Sequence, residues 1–280
     1  VLIYSAPLNA EIGPDGTGTV NGYFIGPGVD LSGSPPVTLV SGYYHNMVLM
    51  EEGNCLAWGW NNYGQANIDS DLNGIVSIDG GYYHSVAVTE EGSVFAWGRN
   101  NYGQITIPDD LGAAIAVAAG HAHTLILKED GTVIGIGRDN YGQISVPDGL
   151  DEVKSITTGR EHSLALKEDG TVVAWGRNDY GQSSVPEDLS DVVAISAGYY
   201  HSLALTSDGK VIAWGDNSYG QGNVLEDLSG VTAIDAGGFH NLALKEDGSV
   251  AVWGRNNYEQ ATAPEDLSGV IAIAAGTVHN

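Results

Sequence analysis

From residue 192 to residue 225 the chain alternates between short apolar runs and polar breaks. Val192–Ala197 alternates and ends at Gly198. Residues 203–206 follow and end at Asp208-Gly209; residues 211–214 follow and enter a loop from Gly215 to Gly220. A last short run lies near residues 223–225. Asp-Gly or Glu-Gly between two alternating runs is a hairpin signal, because the tight turn needs positive φ. No window is long enough or helically periodic enough to predict a substantial helix. The pattern predicts a meander of four antiparallel strands.

The same pattern recurs along the chain. His45, His84, His123, His162, His201, His240 and His279 are spaced by 39 residues, and Gly42, Gly81, Gly120, Gly159, Gly198, Gly237 and Gly276 keep the same phase. Trp58, Trp97, Trp175, Trp214 and Trp253 share a third phase, with Ile136 in the missing slot. Tyr63, Tyr102, Tyr141, Tyr180, Tyr219 and Tyr258 share a fourth, each two residues before a Gln or, at Tyr258, likewise before Gln260. A period near 40 is the mark of a propeller or solenoid, and radial repetition of four-stranded sheets is a β-propeller. The expected fold is all-β, a seven-bladed propeller of four-stranded antiparallel blades. Residues 37–280 carry the repeats, and residues 1–36 form an N-terminal segment. The seventh unit stops at Asn280, so the last blade is expected to be closed by strands from both termini, with residues 1–4 and 19–25 as its outer strands. Such closure removes open sheet edges. The alternative is a piece of a longer repeat array.

Composition narrows the function. No run of about 18 apolar residues exists, so no membrane-spanning helix is predicted. Val1 stands where a Met would start a chain and no signal-peptide pattern follows, which points to a processed or trimmed product. The single cysteine, Cys55, rules out an internal disulfide framework and falls in a strand slot that suits a small core residue. A net charge of −25 with only 10 Lys plus Arg argues against nucleic-acid and anionic-membrane partners. It suits an extracellular or surface-exposed protein.

The phased histidines do not form a metal site, because one per blade lies on a ring too wide for ligands at about 2.0–2.3 Å. They are expected at the turn after the first strand, bonded to backbone or to a neighbouring blade. The phased tryptophans read as core between blades, since Ile136 replaces one. There is no GxSxG, HExxH, P-loop or Cys/His cluster. The acid pairs Glu129-Asp130 and Glu246-Asp247 fall in hairpin turns; a carbohydrate-active enzyme using such a pair is the alternative of a different class. No catalytic residue, metal or cofactor is assigned.

Variation between the units marks a candidate surface. In a meander the first and third connections share one end of the disc. The two residues after the phased Gly read Tyr43-Tyr44, Tyr82-Tyr83, His121-Ala122, Arg160-Glu161, Tyr199-Tyr200, Gly238-Phe239 and Thr277-Val278. The residue after Trp-Gly or Ile-Gly reads Trp60, Arg99, Arg138, Arg177, Asp216 and Arg255. All the arginines fall in these slots, whereas the other end carries the acidic turns. Tyr, Trp and Arg are favoured at protein interfaces. The expected partner-binding residues are therefore Tyr43, Tyr44, Trp60, Tyr82, Tyr83, Arg99, His121, Arg138, Arg160, Arg177, Tyr199, Tyr200, Phe239 and Arg255. Filling of gaps between loops is the structural alternative for the tyrosines.

The consensus GxYHSLALxxDGxVxAWGxNxYGQxxVPxDLSxVxAI resembles the RCC1-type repeat, and its short unit resembles most the bacterial β-lactamase inhibitory protein II type. The likeness runs from about residue 37 to 280. In that inhibitor family one propeller face binds the enzyme through aromatics beside the Gly-x-aromatic-His segment. The resemblance carries this role to Tyr44, Tyr83, Tyr200 and Phe239, while Ala122, Glu161 and Val278 depart from it. The chromatin-bound exchange factor of the superfamily relies on basic elements that this sequence lacks. Together these readings predict a non-enzymatic module that recognises a protein or cell-surface partner. It would be a secreted-enzyme inhibitor or, alternatively, the receptor-binding tip of a larger extracellular or phage fibre assembly.

Overall fold

The structure, a computed structural model, describes residues 36–280 apart from 51, 71, 265 and 266. Of the N-terminal segment it describes residues 3–4, 10–12, 18–20 and 23–25. Each repeat forms one three-stranded antiparallel sheet. In the fifth, Val192–Ala197 pairs with His201–Thr206, which pairs with Val211–Gly215. Five other repeats, beginning at Pro36, Ile75, Ala114, Val153 and Val231, repeat this order. The hairpin between second and third strands turns on a glycine such as Gly209, whose φ of +78° suits the Asp-Gly signal.

The middle strand is the core of each blade. Leu203 and Ala204 are fully buried, and they pack against residues of the neighbouring repeats. Leu164, Leu166 and Val192 from adjacent repeats share one cluster with Ala204 and Trp214. Each buried leucine contributes about 2 kcal/mol of hydrophobic stabilisation. The first strands, with their small residues, line an axial channel together, through Val40, Asp79, Ala119, Thr157, Ser196, Asp235 and Ile273 among others.

Polar groups tie one repeat to the next in a repeated relay. The buried His45 Nε2 lies 2.8 Å from Ser85 Oγ of the following repeat, and Ser85 Oγ donates to the Gln65 carbonyl at 2.8 Å. Trp97 Nε1 donates to that same carbonyl at 2.9 Å. Because the serine hydrogen is already given to Gln65, the histidine must donate from Nε2, leaving Nδ1 as the unprotonated nitrogen. His84, His162, His201 and His240 make the equivalent contact to Thr124, Ser202, Asn241 and Asn280. The phased Gly is needed because the ring lies against it. A Cβ on Gly42 would sit 2.5 Å from His45 Cε1 and 2.6 Å from the Gly81 carbonyl oxygen.

Three expectations are corrected. First, the chain builds six blades in a propeller-like fold, not seven: among the described residues after the sixth sheet, only Val270–Ala272 is a strand. Second, the blades have three strands, not four. Beyond the third strand, side chains take the place of a ladder. Asn217 Oδ1 accepts from Gly222 N at 2.8 Å, Asn217 Nδ2 donates to Asn223 Oδ1 at 2.8 Å, and Gln221 Oε1 accepts from Tyr219 N at 2.9 Å. With these groups satisfied locally, the segment stays a compact turn. Third, the termini do not supply outer strands. Ile3–Tyr4 pairs directly with Val270–Ala272, at the position a second strand takes in the repeats. Gly18–Val20 and Tyr23–Ile25 instead pair with each other, beside Ala10–Ile12, in a sheet that among the described residues joins no repeat. The remaining residues of the expected closing segment, residues 1–2 and 21–22, lie outside the described residues.

Candidate partner-binding face

The corner after the first strand points its two variable residues in different directions. The first of each pair turns to the axis. Tyr43, Tyr82, His121, Arg160, Tyr199, Gly238 and Thr277 surround one mouth of the channel. Tyr43 stacks on Tyr82 with centroids 3.6 Å apart and lies 6.0 Å from Tyr199, and Tyr82 meets the His121 ring at 4.3 Å. Tyr199 Oη lies 2.7 Å from Thr277 Oγ1, and Arg160 Nη1 donates to Tyr200 Oη at 2.5 Å. These side chains plug the mouth. Burial pushes His121 down to about 4, with Arg160 and the other nearby arginines adding and Glu161 opposing, so the plug histidine is neutral at pH 7. Burial also raises the hydroxyl pKa of Tyr82 and Tyr199.

The second residue of each pair lies farther out, against the loop that follows the third strand. Tyr44 meets Trp60 at 4.8 Å, Trp60 meets Tyr83 at 5.5 Å, and Arg99 lies 5.5 Å over Tyr83. Tyr44 and Arg99 therefore belong to one surface. Half a turn away, Tyr200 meets Tyr180 at 5.1 Å and Phe239 at 6.2 Å, and Phe239 meets Tyr219 at 5.2 Å. Arg255 lies over Tyr219, Phe239 and Tyr258. Between these aromatic clusters the chemistry changes. Glu161, nearly buried, accepts from Arg177 Nη1 at 2.7 Å and from Arg138 Nη1 at 3.4 Å, and Asp179 accepts from Arg177 Nε at 2.7 Å. Arg138 and Arg177 are thus paired within the chain.

The fourteen expected partner-binding residues gather on this one end, whereas the acid pairs lie in the hairpin turns between second and third strands. The structure adds a ring that sequence reasoning took only as a repeat marker: Tyr63, Tyr102, Tyr141, Tyr180, Tyr219 and Tyr258 are 42–65% exposed. The available signal was an aromatic inside an otherwise polar Asn/Gly/Gln loop, with no apolar run to pack it. The structure also reveals two carboxylates in the channel wall. Asp79 accepts from Gly80 N and Ala119 N at 2.8 and 2.7 Å, and Asp235 accepts from Ala236 N and Ala275 N at 3.0 and 2.7 Å. Burial pushes Asp79 up to about 6 against those donors, with Asp235 adding to the rise; burial likewise raises Asp235. Among the described residues, no three His, Cys, Asp or Glu side chains converge as a metal would require. Among the same residues no helix is long and apolar enough to cross a membrane.

Fold and face together define a propeller-like repeat protein with one aromatic, arginine-laced end. Residues 37–65, 75–104, 114–143, 153–182, 192–221 and 231–260 match the model of the Regulator of chromosome condensation (RCC1) repeat. The chain belongs to the RCC1-repeat family, and its matched repeats are the six blades. Comparison with curated proteins finds no match. Among solved structures it is similar to Prp20p of Saccharomyces cerevisiae, studied for its binding to Gsp1p and histones. Identity is 22% over 94% of this chain and 84% of that one, with a TM-score of 0.75. Human WBSCR16 is 19% identical over 91% and 86% of the two chains, with a TM-score of 0.71. The ectodomain of the Arabidopsis thaliana receptor kinase ACR4 is 20% identical over 86% and 90%, with a TM-score of 0.71. At these identities the likeness is one of fold.

Proposed function

We propose that the chain is a non-enzymatic protein-recognition module, binding through the end that carries Tyr44, Trp60, Tyr83, Tyr200 and Phe239. The observation that carries this reading is the run of touching, partly exposed rings from Tyr44 through Trp60 to Tyr83, on a rigid frame. Rigid aromatics give large contact area at low entropic cost, which is how interface anchors work. Protein binding by Prp20p, on the same fold, is in keeping with it. The resemblance to the β-lactamase inhibitory protein II type makes inhibition of a secreted enzyme its sharpest form, in an extracellular or surface setting. The receptor-binding tip of a larger assembly is its second form. The enzymatic alternative finds no support in the acid pairs. Asp130 is held down at about 2 by Thr132 and Lys128, and Asp247 is lowered by Ser249. Such carboxyls stay ionised and make poor general acids.

The test is affinity capture of protein partners on immobilised chain, wild type against a Tyr44→Ala/Tyr83→Ala/Tyr200→Ala variant. The variant should lose a captured protein by a hundredfold or more while its thermal midpoint falls by only a few degrees. Undiminished capture by the folded variant would remove this face from consideration.

A further inference from the structure

Four junctions between successive repeats are closed by the same pair on the binding end. The arginine after Trp-Gly or Ile-Gly lies over the rim tyrosine of the repeat before it. Arg99 lies over Tyr63 at 5.3 Å, Arg138 over Tyr102 at 5.4 Å, Arg177 over Tyr141 at 4.8 Å and Arg255 over Tyr219 at 5.0 Å. The junction between the fourth and fifth repeats breaks this rule. Asp216 stands where the arginine should be, and none of the chain's arginines lies over Tyr180.

The backbone at this junction is unchanged. Asp216 N donates to the Tyr200 carbonyl at 2.8 Å, as Arg177 N does to Glu161 at 2.9 Å and Arg255 N to Phe239 at 2.8 Å. Only the side chain differs. The Asp216 carboxylate folds inward, accepting from Ser218 N at 3.0 Å and from Gln221 Nε2 at 2.9 Å, and is 7% exposed. Tyr180 is as exposed as Tyr102, at 49%, but has no guanidinium over it, and Tyr200 at 5.1 Å is its aromatic neighbour. Tyr200 already carries two guanidinium groups, Arg160 at 5.6 Å and Arg177 at 5.2 Å, so the ring without a cation is that of Tyr180. Arg177 is neutralised by Glu161 and Asp179. Replacing a guanidinium by an inward-folded carboxylate thus leaves a tyrosine face without its cation.

The geometry points to a recognition slot, formed by Tyr180, Tyr200 and Asp216, that takes an arginine side chain from a bound protein. This deepens the reading of the face given above and rests on it. The other repeats show what the slot is shaped for: a planar cation over a tyrosine ring, an arrangement strengthened where water is excluded. The flat guanidinium suits ring stacking better than the compact, strongly hydrated ammonium of lysine.

The experiment follows tyrosine-ring NMR signals while the peptide acetyl-Gly-Arg-Gly-amide is added to the intact chain at physiological salt. Tyr180 and Tyr200 should shift saturably, while Tyr102, whose arginine is in place, should not. The lysine analogue should bind at least threefold more weakly. Asp216→Arg supplies the missing guanidinium, as four sister repeats already do, and should lower peptide affinity at least tenfold without loss of fold. Tyr180→Leu should do the same. Equal shifts at Tyr102 and Tyr180, or full binding by Asp216→Arg, would overturn the slot. The two proposals fail separately: a silent Tyr180 ends the slot but not the face. Undiminished partner capture by the triple-alanine variant, which lacks Tyr200, ends the face and with it the slot's part in partner capture, whatever the peptide does at Tyr180.

Discussion

His279 Nε2 lies 3.1 Å from Asn46 Oδ1, although 233 residues separate them in sequence. The contact repeats, across the two ends of the array, what His45 does to Ser85 between neighbouring repeats. Ser41 Oγ donates to the same Asn46 oxygen at 2.9 Å. A ring has no end repeats to fray, so this junction governs whether the array opens.

Asn46→Ala removes the acceptor and leaves a histidine N–H desolvated. The cost of such an orphan is about 1–3 kcal/mol, or a fall of roughly 2–10 °C in the thermal midpoint for a domain of this size. Ser85→Ala, at an interior junction, should cost a similar amount. Scanning calorimetry of the two variants checks this. If Asn46→Ala is silent while Ser85→Ala is not, the ends do not carry a closing contact.

The same relay makes the fold acid-sensitive. Burial pushes His84, His123 and His162 down to about 3 and His45, His201 and His279 to about 4, from an ordinary value of 6.5. Protonation would put a hydrogen on Nδ1, which in His45, His84 and His201 has no acceptor. Below pH 6.5 the unfolded chain takes up protons that the native chain refuses. Stability is therefore full above that pH and is lost as pH falls toward 4. Each histidine removes about 1.4 kcal/mol per pH unit. Asp79 works the other way, since its raised pKa lets the native state bind a proton near pH 6; Asp235 shares that sign. Two carboxyls offset only part of the loss, so the urea midpoint should drop steeply between pH 6.5 and 5. A midpoint that is flat over this range would contradict neutral, buried histidines.

The phased glycines divide into two kinds, and substitution should tell them apart. Gly42→Ala drives a methyl into the His45 ring and the Gly81 carbonyl, displacing backbone as well as side chain. A cost of about 3 kcal/mol is expected, at the upper end for overpacking. Gly181 has φ +82° and nothing within 4 Å of a built Cβ, so alanine there meets only left-handed strain, about 1–2 kcal/mol. Denaturant midpoints should rank the two variants in that order.

How much of this was legible follows from which forces have a period. The 39-residue phase of His, Gly, Trp and Tyr is visible because each blade needs the same hydrogen bonds and the same wedge shape. Asp-Gly marked the hairpins for the same reason. The fourth strand was misread at residues 223–225 because an apolar run there looks like a strand. It is in fact the lid of a turn that Asn217 and Gln221 hold by side-chain bonds. The count of blades depended on segments at the chain ends, where no internal repeat could guide the reading. Tyr43 and Tyr44 were legible as a surface pair, but not as one plug residue and one outer residue; only the corner's geometry separates them.

Glu161 occupies the slot that Tyr44, Tyr83, Tyr200 and Phe239 fill in other repeats, and there it does the work of a ring by charge. It is 5% exposed and holds Arg177 and Arg138, each about one-fifth exposed, at 2.7 and 3.4 Å. Glu161→Ala leaves two guanidinium groups facing each other with no carboxylate between them. Arg177 keeps Asp179, but Arg138 loses its only acidic partner among the described ion pairs. Removing one member of a buried pair costs about 3–5 kcal/mol; allowing for the partial exposure of both arginines, a loss of about 2 kcal/mol is expected. Salt screens such repulsion, so the deficit of Glu161→Ala should shrink as ionic strength rises, whereas that of Gly42→Ala should not. Thermal midpoints of the two variants at 20 mM and 500 mM sodium chloride, about a fivefold change in screening length, separate an electrostatic clamp from a steric one. A Glu161→Ala deficit that is independent of salt would mean that the carboxylate serves packing and not charge.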